Sequence, residues 1–208
     1  MKKLTLAVMA ITSMAGASTA FAGDTGWYVF GAAGQTFNDN SKSTMDSRVS
    51  SIGGTGFSSS LSKGTVYNLD IGYQVDKNFA FEGGYIGSSN ETYTASGGNL
   101  GMFSGSAISA NVSGWNVKAV GILPVANQFS LLGKLGVSDI KETTSFTIPG
   151  LGTYSGNGSK TGVTYGIGAK YDFTEALAGR LDLDRYDIGD STASSYVSVW
   201  TVGVAYKF

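Results

Sequence analysis

Ten charged side chains alternate with apolar residues, often beside glycines: Asp70, Glu82, Lys118, Lys134, Lys170, Asp172, Arg180, Asp182, Asp184 and Lys207. Five carboxylates and five cations can exchange protons, pair with one another or, gathered in rings of one sign, select ions. Because their charges cancel, pairing is the expected chemistry. Histidine and cysteine are absent, which removes Ser/His/Asp and Cys/His catalysis, His/Cys zinc sites, haem attachment and disulfides. No cofactor or metal is expected. Asp39, Asp46, Ser58 to Ser60 and Asp139 remain as acids and nucleophiles, with no base to activate a serine. Ser159-Lys160-Thr161 ends like a phosphate loop but lacks the glycine before the lysine, and the Asn-x-Ser/Thr triplets at Asn90, Asn111 and Asn157 fit chance in Ser/Thr-rich stretches.

The elements that carry these charges read as strands. Apolar residues recur at every second position in runs of about ten, the period of a pleated strand. Tyr67, Leu69, Ile71, Tyr73 and Val75 share one face of the first clear run, against Asn68, Asp70, Gly72 and Gln74. The pattern returns over 79–88, 115–123, 129–138, 163–173 and 177–187, and in the last segment to Phe208. With Trp27 to Phe37, whose inward face is ambiguous, the count is eight. The chain of 208 residues is 42% hydrophobic and only 14% charged, against about 25% charged in an average soluble protein. Its 31 glycines with only 2 prolines fit neither a collagenous nor a Pro-rich pattern. A net charge of -1 without a basic run gives no support to nucleic acid as a partner.

Connections alternate in length. Tight turns are expected at 76–78, 124–128 and 174–176, and Ser/Gly/Thr/Asn-rich loops at 38–63, 89–110 and 139–160, with a shorter one at 188–195. An even strand number with short turns on one side and long loops on the other is the layout of a bacterial outer-membrane barrel. Placing the short turns on the periplasmic side gathers Trp27, Tyr73, Phe79, Phe129, Tyr171, Phe173, Tyr206 and Phe208 at one rim. Tyr67, Tyr85, Trp115, Tyr165 and Trp200 fall towards the other, so two aromatic girdles emerge. A soluble lipocalin-like barrel would need the faces reversed. The expected fold is therefore all-β, an eight-stranded antiparallel transmembrane up-and-down barrel. Sixteen strands of about ten residues would use about 160 residues and leave no room for long loops, which excludes porin dimensions.

Lys2 and Lys3, an apolar stretch from Leu4 to Met14 and the small-x-small ending Ala20-Phe21-Ala22 form a secretory signal peptide over residues 1–22. Residues 23–208 are then the barrel domain. No later segment is apolar over the 18 or so residues that a helical span requires.

Gly26-Trp-Tyr-Val29, Phe81-Glu-Gly-Gly-Tyr85, Gly133-Lys-Leu-Gly136, Gly168 to Thr174, Gly179 to Tyr186 and the closing Gly203-Val-Ala-Tyr-Lys-Phe208 resemble the outer-membrane barrel family typified by the N-terminal membrane domain of OmpA, with OmpX-like and opacity proteins as relatives. The resemblance covers essentially the whole chain after residue 22. It implies a luminal pair between Glu82 and Arg180. A second lysine to glutamate pair would set Lys118 against the position held here by Lys170, which is basic. The peptidoglycan-binding domain that follows the OmpA barrel is not expected. Val202, Val204, Tyr206 and Phe208 resemble the C-terminal signal read by the barrel-assembly machinery.

The inward charges Asp70, Glu82, Lys118, Lys134, Lys170, Arg180, Asp182 and Asp184 are expected to form a hydrogen-bonded polar cluster, since side chains just fill an eight-stranded barrel, OmpA-type barrels being the usual example of that size. Lipid-modifying barrel enzymes rest on histidine, so no enzymatic activity is expected. Met45, Val49, Ile52, Phe57 and Leu61, with Leu100, Met102 and Phe103, stand among Ser and Gly in the long loops. They either contact a host or cell-surface ligand, or fold back on the barrel rim or touch lipopolysaccharide. Expected partners are outer-membrane lipid, lipopolysaccharide and the assembly machinery. The expected role is envelope structure or surface adhesion through the long loops, with a small or gated pore as the alternative.

Overall fold

The computed structural model describes residues 25–37, 41–51, 53–100, 104–187 and 196–208. The expected signal peptide, Asp39, Ile52, Met102, Phe103 and the short loop expected at 188–195 lie outside the described residues. In chain order the elements are β1 (Gly26–Thr36), α1 (Ser41–Ser51), β2 (Ser58–Ser62), β3 (Thr65–Gln74), β4 (Phe79–Ser88), β5 (Glu91–Ser96), β6 (Ser106–Ala126), β7 (Phe129–Ile148), β8 (Gly152–Asp172), β9 (Leu177–Asp187) and β10 (Tyr196–Lys207).

Eight of the strands close a ring. β1, β3, β4, β6, β7, β8, β9 and β10 pair antiparallel in that order, and β10 returns to β1 in a register running from Tyr28 opposite Lys207 to Thr36 opposite Val199. Closure leaves no unpaired edge within the ring, as hydrocarbon demands of any backbone it surrounds. Two tight turns are fixed by their own side chains. The Asp76 carboxylate accepts from the amides of Asn78 and Phe79, at 2.7 and 2.8 Å, and the Thr174 hydroxyl accepts from the Leu177 amide at 2.9 Å.

The two faces of the ring have opposite surroundings. Leu69, Ile71, Phe81, Val117, Leu135, Ile167, Leu183 and Val204 are all exposed on its outside, an arrangement that water would punish and a bilayer rewards. Aromatic side chains rim this belt at both ends. Trp27 packs on Tyr73 and Tyr206 on Phe208 at the turn end, with centroids 5.1 and 5.5 Å apart, and Tyr85 on Trp115 at the other end at 5.1 Å.

Above the second rim the structure departs from the expected loops. The stretch 38–63 contains α1 and β2, 89–110 contains β5 and the start of β6, and 139–160 is a hairpin in which β7 and β8 continue to a turn at 149–151. Where about ten residues cross a membrane, β6 and β8 run for 21 and β7 for 20. β2, β5, β6, β7 and β8 thus form one sheet beyond the membrane. These segments escape a composition-based reading because Ser, Thr and Gly dominate them and Glu142, Thr144 and Gly156 interrupt the apolar face, whereas threonine suits a strand backbone well.

Candidate functional site: the lumen and the sheet above it

Alternation places the charged residues inside, and the lumen fills in layers. At the turn end Tyr28, Phe30, Ala80, Val120, Leu132, Ala178 and Ala205 form a buried apolar floor. At the loop end Val66, Ile86, Ile140, Tyr186 and Val199 form a second apolar layer. Between them lie Asp70, Glu82, Lys118, Lys134, Arg180, Asp182 and Asp184, each at most 5% exposed.

Arg180 is the hub of the ionic layer. Its Nη1 and Nη2 reach Glu82 Oε1 and Oε2, the second at 3.1 Å, while Nε donates to Asp182 Oδ2 at 2.9 Å. Its Cζ lies over the Phe30 ring, 4.1 Å from the centroid. Tyr28 donates from Oη to Glu82 Oε1 at 2.7 Å. Lys118 stands directly opposite Glu82 in the ladder, yet its Nζ is closer to Asp70 (3.3 Å) than to Glu82 (3.9 Å). Lys134 bridges Asp182 and Asp184 at 3.2 and 2.6 Å. Glycines opposite these groups supply the room: a Cβ at Gly84 would strike the Asp70 carboxylate, and one at Gly168 the Asp182 carboxylate.

Lys170 does not join this layer. It pairs with Asp172 at 3.0 Å, and both are partly exposed at the turn-end mouth. There a recess of about 700 Å³ opens between Gln74, Gln128, Lys170 and Lys207 and runs in to Tyr28, Leu132 and Arg180. Tyr28 and Phe30 are luminal residues that the sequence alone leaves unassigned. Their signal is parity, since Trp27 in the girdle puts even positions of β1 inside.

Beyond the membrane the apolar loop residues form a small core of their own. Met45, Val49, Phe57 and Leu61 pack against Tyr93, Ala95 and Leu100, so these described residues cover one another and β5 instead of folding onto the barrel rim. Met45 and Val49 lie one turn apart on α1 and share a face. A polar latch closes the same contact: Tyr93 Oη donates to Asp46 Oδ1 at 2.6 Å, and Lys42 Nζ pairs with Asp46 Oδ2 at 2.9 Å. Hydrogen bonds from Ser59, Tyr93 and Lys42 hold the Asp46 carboxyl down at about 2. Burial, with the Asp46 hydrogen bond adding to it, pushes the Tyr93 phenol up to about 12. Asp139 accepts from Thr161 Oγ1 at 3.4 Å at the base of the β7–β8 hairpin.

A family model for the outer membrane protein beta-barrel domain matches residues 4–208. Among solved structures the chain is similar to Ail, the attachment invasion locus protein of Yersinia pestis, at 18% identity, covering 89% of this chain and 99% of that one with a TM-score of 0.50. It is also similar to a major outer membrane protein from Thermus thermophilus, at 13% identity, covering 88% and 99% with a TM-score of 0.51. At these identities the likeness is one of fold. A comparison with curated protein sequences returns no match.

Proposed function

The chain belongs to the outer membrane protein β-barrel family and resides in the bacterial outer membrane, and on that premise we propose that it is a non-catalytic barrel acting in envelope structure or surface adhesion through the sheet above the membrane. The observation that carries this reading is the excess length of β6, β7 and β8, about ten residues each beyond what a membrane crossing uses. An ordered sheet of that size is more than a connection between strands needs. The buried lumen residues act as a structural plug, two apolar layers enclosing an ionic one. Residues 1–22 direct export and are removed, leaving 23–208 as the barrel domain. Val202, Val204, Tyr206 and Phe208 present an outward stripe to the barrel-assembly machinery. Lipopolysaccharide and a host or cell-surface ligand are the partners proposed for the outer side.

The alternative, a small or gated pore for ions or small solutes, draws on the recess that already reaches Arg180. Two buried apolar layers and the pairing of Arg180 with Glu82 and Asp182 stand against it. The test trims β7 and β8 by joining Ser138 to Gly162 through a short Asn-Gly turn, confirms heat-modifiable folding, and measures cell adhesion beside detergent sensitivity of the envelope. Loss of adhesion alone supports a binding role, and loss of detergent resistance alone a structural one. If both persist while permeability to small solutes falls, the pore reading takes over.

A further inference from the structure

The sheet above the membrane has two unlike faces. On the side that continues the lumen, Ile108, Phe146 and Tyr154 lie in one cross-strand row. The opposite side continues the lipid-facing surface, and its character changes row by row. Val117, Val137 and Val163 are opposite one another within the bilayer, and the next row up holds Trp115 of the aromatic girdle beside Asp139 and Thr161. Two rows further, about 14 Å along the strands, every side chain is a hydroxyl or an amide. Asn111, Thr143 and Asn157 form one row, and Ser109, Ser145 and Ser155 the next. Ser145 and Ser155 share a hydrogen bond of 2.9 Å, and Ser109 shares one of 3.0 Å with Thr92 on β5. The β8 members are exposed and the others half-buried.

Water alone does not call for such a surface. Sheets that face solvent carry interspersed lysine and glutamate against aggregation, but on this face the charges stop at Asp139 and Lys141, and Glu142 lies on the other side. What remains is a neutral array of paired donors and acceptors on the side that continues the lipid-facing surface. Its chemistry matches a polyhydroxylated, uncharged surface rather than an anionic or apolar one. We propose that this face docks the uncharged sugars of the outer-leaflet glycolipid core, which stand farther from the acyl chains than its phosphorylated headgroup. The proposal rests on the reading that the extended sheet stands on the outer side of the membrane.

The test uses the full folded chain in phospholipid nanodiscs, titrated with delipidated and dephosphorylated core oligosaccharide and followed by amide chemical shifts. Shifts are expected at Asn111, Thr143, Ser145, Ser155 and Asn157. The combined variant Thr143→Val, Ser145→Ala, Ser155→Ala and Asn157→Val, checked for heat-modifiable folding, is expected to weaken binding at least tenfold, and Lys141→Gln to leave it within twofold. No shifts, shifts centred on Phe146 and Tyr154, or equal affinity in the combined variant would overturn the proposal. So would binding that vanishes in Lys141→Gln, which would make an anionic group the ligand. Labelling of Ser155→Cys on intact cells, in a chain with no cysteine of its own, reads the side of the membrane independently. A periplasmic result removes the premise, and an outer result with no sugar binding removes the proposal alone.

Discussion

Arg180 on β9 and Glu82 on β4 meet across the full width of the barrel, from strands four places apart in a ring of eight and 98 residues apart in sequence. The pair is a strap between opposite walls. Removing either member leaves its partner buried and charged without its counterion, at a cost of about 3 to 5 kcal/mol. Glu82→Ala and Arg180→Ala are therefore each expected to lower stability by that amount in urea unfolding with lipid vesicles. Glu82→Leu combined with Arg180→Leu is expected to recover part of the loss. Unchanged unfolding in both single variants would show the pair to be solvated.

The luminal glycines give a second expectation. Gly84→Ala would press a methyl group into the Asp70 carboxylate and the backbone of Leu69, whereas a methyl group at Gly133 meets nothing within 4 Å on the lipid side. Overpacking of this kind costs about 1 to 3 kcal/mol, so Gly84→Ala is expected to destabilise by that amount and Gly133→Ala by less than about 0.5 kcal/mol, the usual scale of a surface change. The same lipid-vesicle titration compares them.

Parts of the molecule differ in how plainly the sequence encodes them. The ring is legible because Leu69 and Asp70, or Leu181 and Asp182, point to opposite surroundings, and that contrast recurs from strand to strand. The ionic layer is legible as a set of inward charges, but its partners are not. Lys118 lies in register with Glu82 yet is nearer Asp70, and Lys170 turns to Asp172, because reach across a lumen depends on strand stagger and side-chain length rather than on alternation. Tyr28 and Phe30 escape notice because small residues at Gly31, Ala32, Ala33 and Gly34 blur the two faces of β1. The sheet above the membrane reads as loops, since Glu142, Thr144 and Gly156 interrupt the face that carries Ile108, Phe146 and Tyr154 and blunt its contrast with Ser145 and Ser155.

The latch between α1 and β5 predicts a pH window. The folded carboxyl of Asp46 sits at about 2 against an ordinary 3.8, so its contribution is present above about pH 4 and is lost as pH falls towards 2. The Tyr93 phenol sits at about 12 against an ordinary 10.0, so its contribution is full below about pH 10 and is lost as pH rises through about 12. Protease resistance of the α1 segment is expected to be flat from about pH 4 to 10 and to fall on both sides. In Tyr93→Phe, a carboxyl titration of Asp46 followed by NMR is expected to move up towards 3.8. An unmoved titration would mean that the hydroxyl makes no such bond in solution.

A barrel that acts through the sheet it holds above the membrane has no use for an open lumen. Conductance of the purified, folded monomer in planar lipid bilayers tests this most directly. Layers of Phe30 and Leu132 below and Val66 and Ile140 above the paired charges predict no steady current at moderate voltage. Stable channels of large conductance, recorded from monomer shown to be free of contaminating porin, would contradict it.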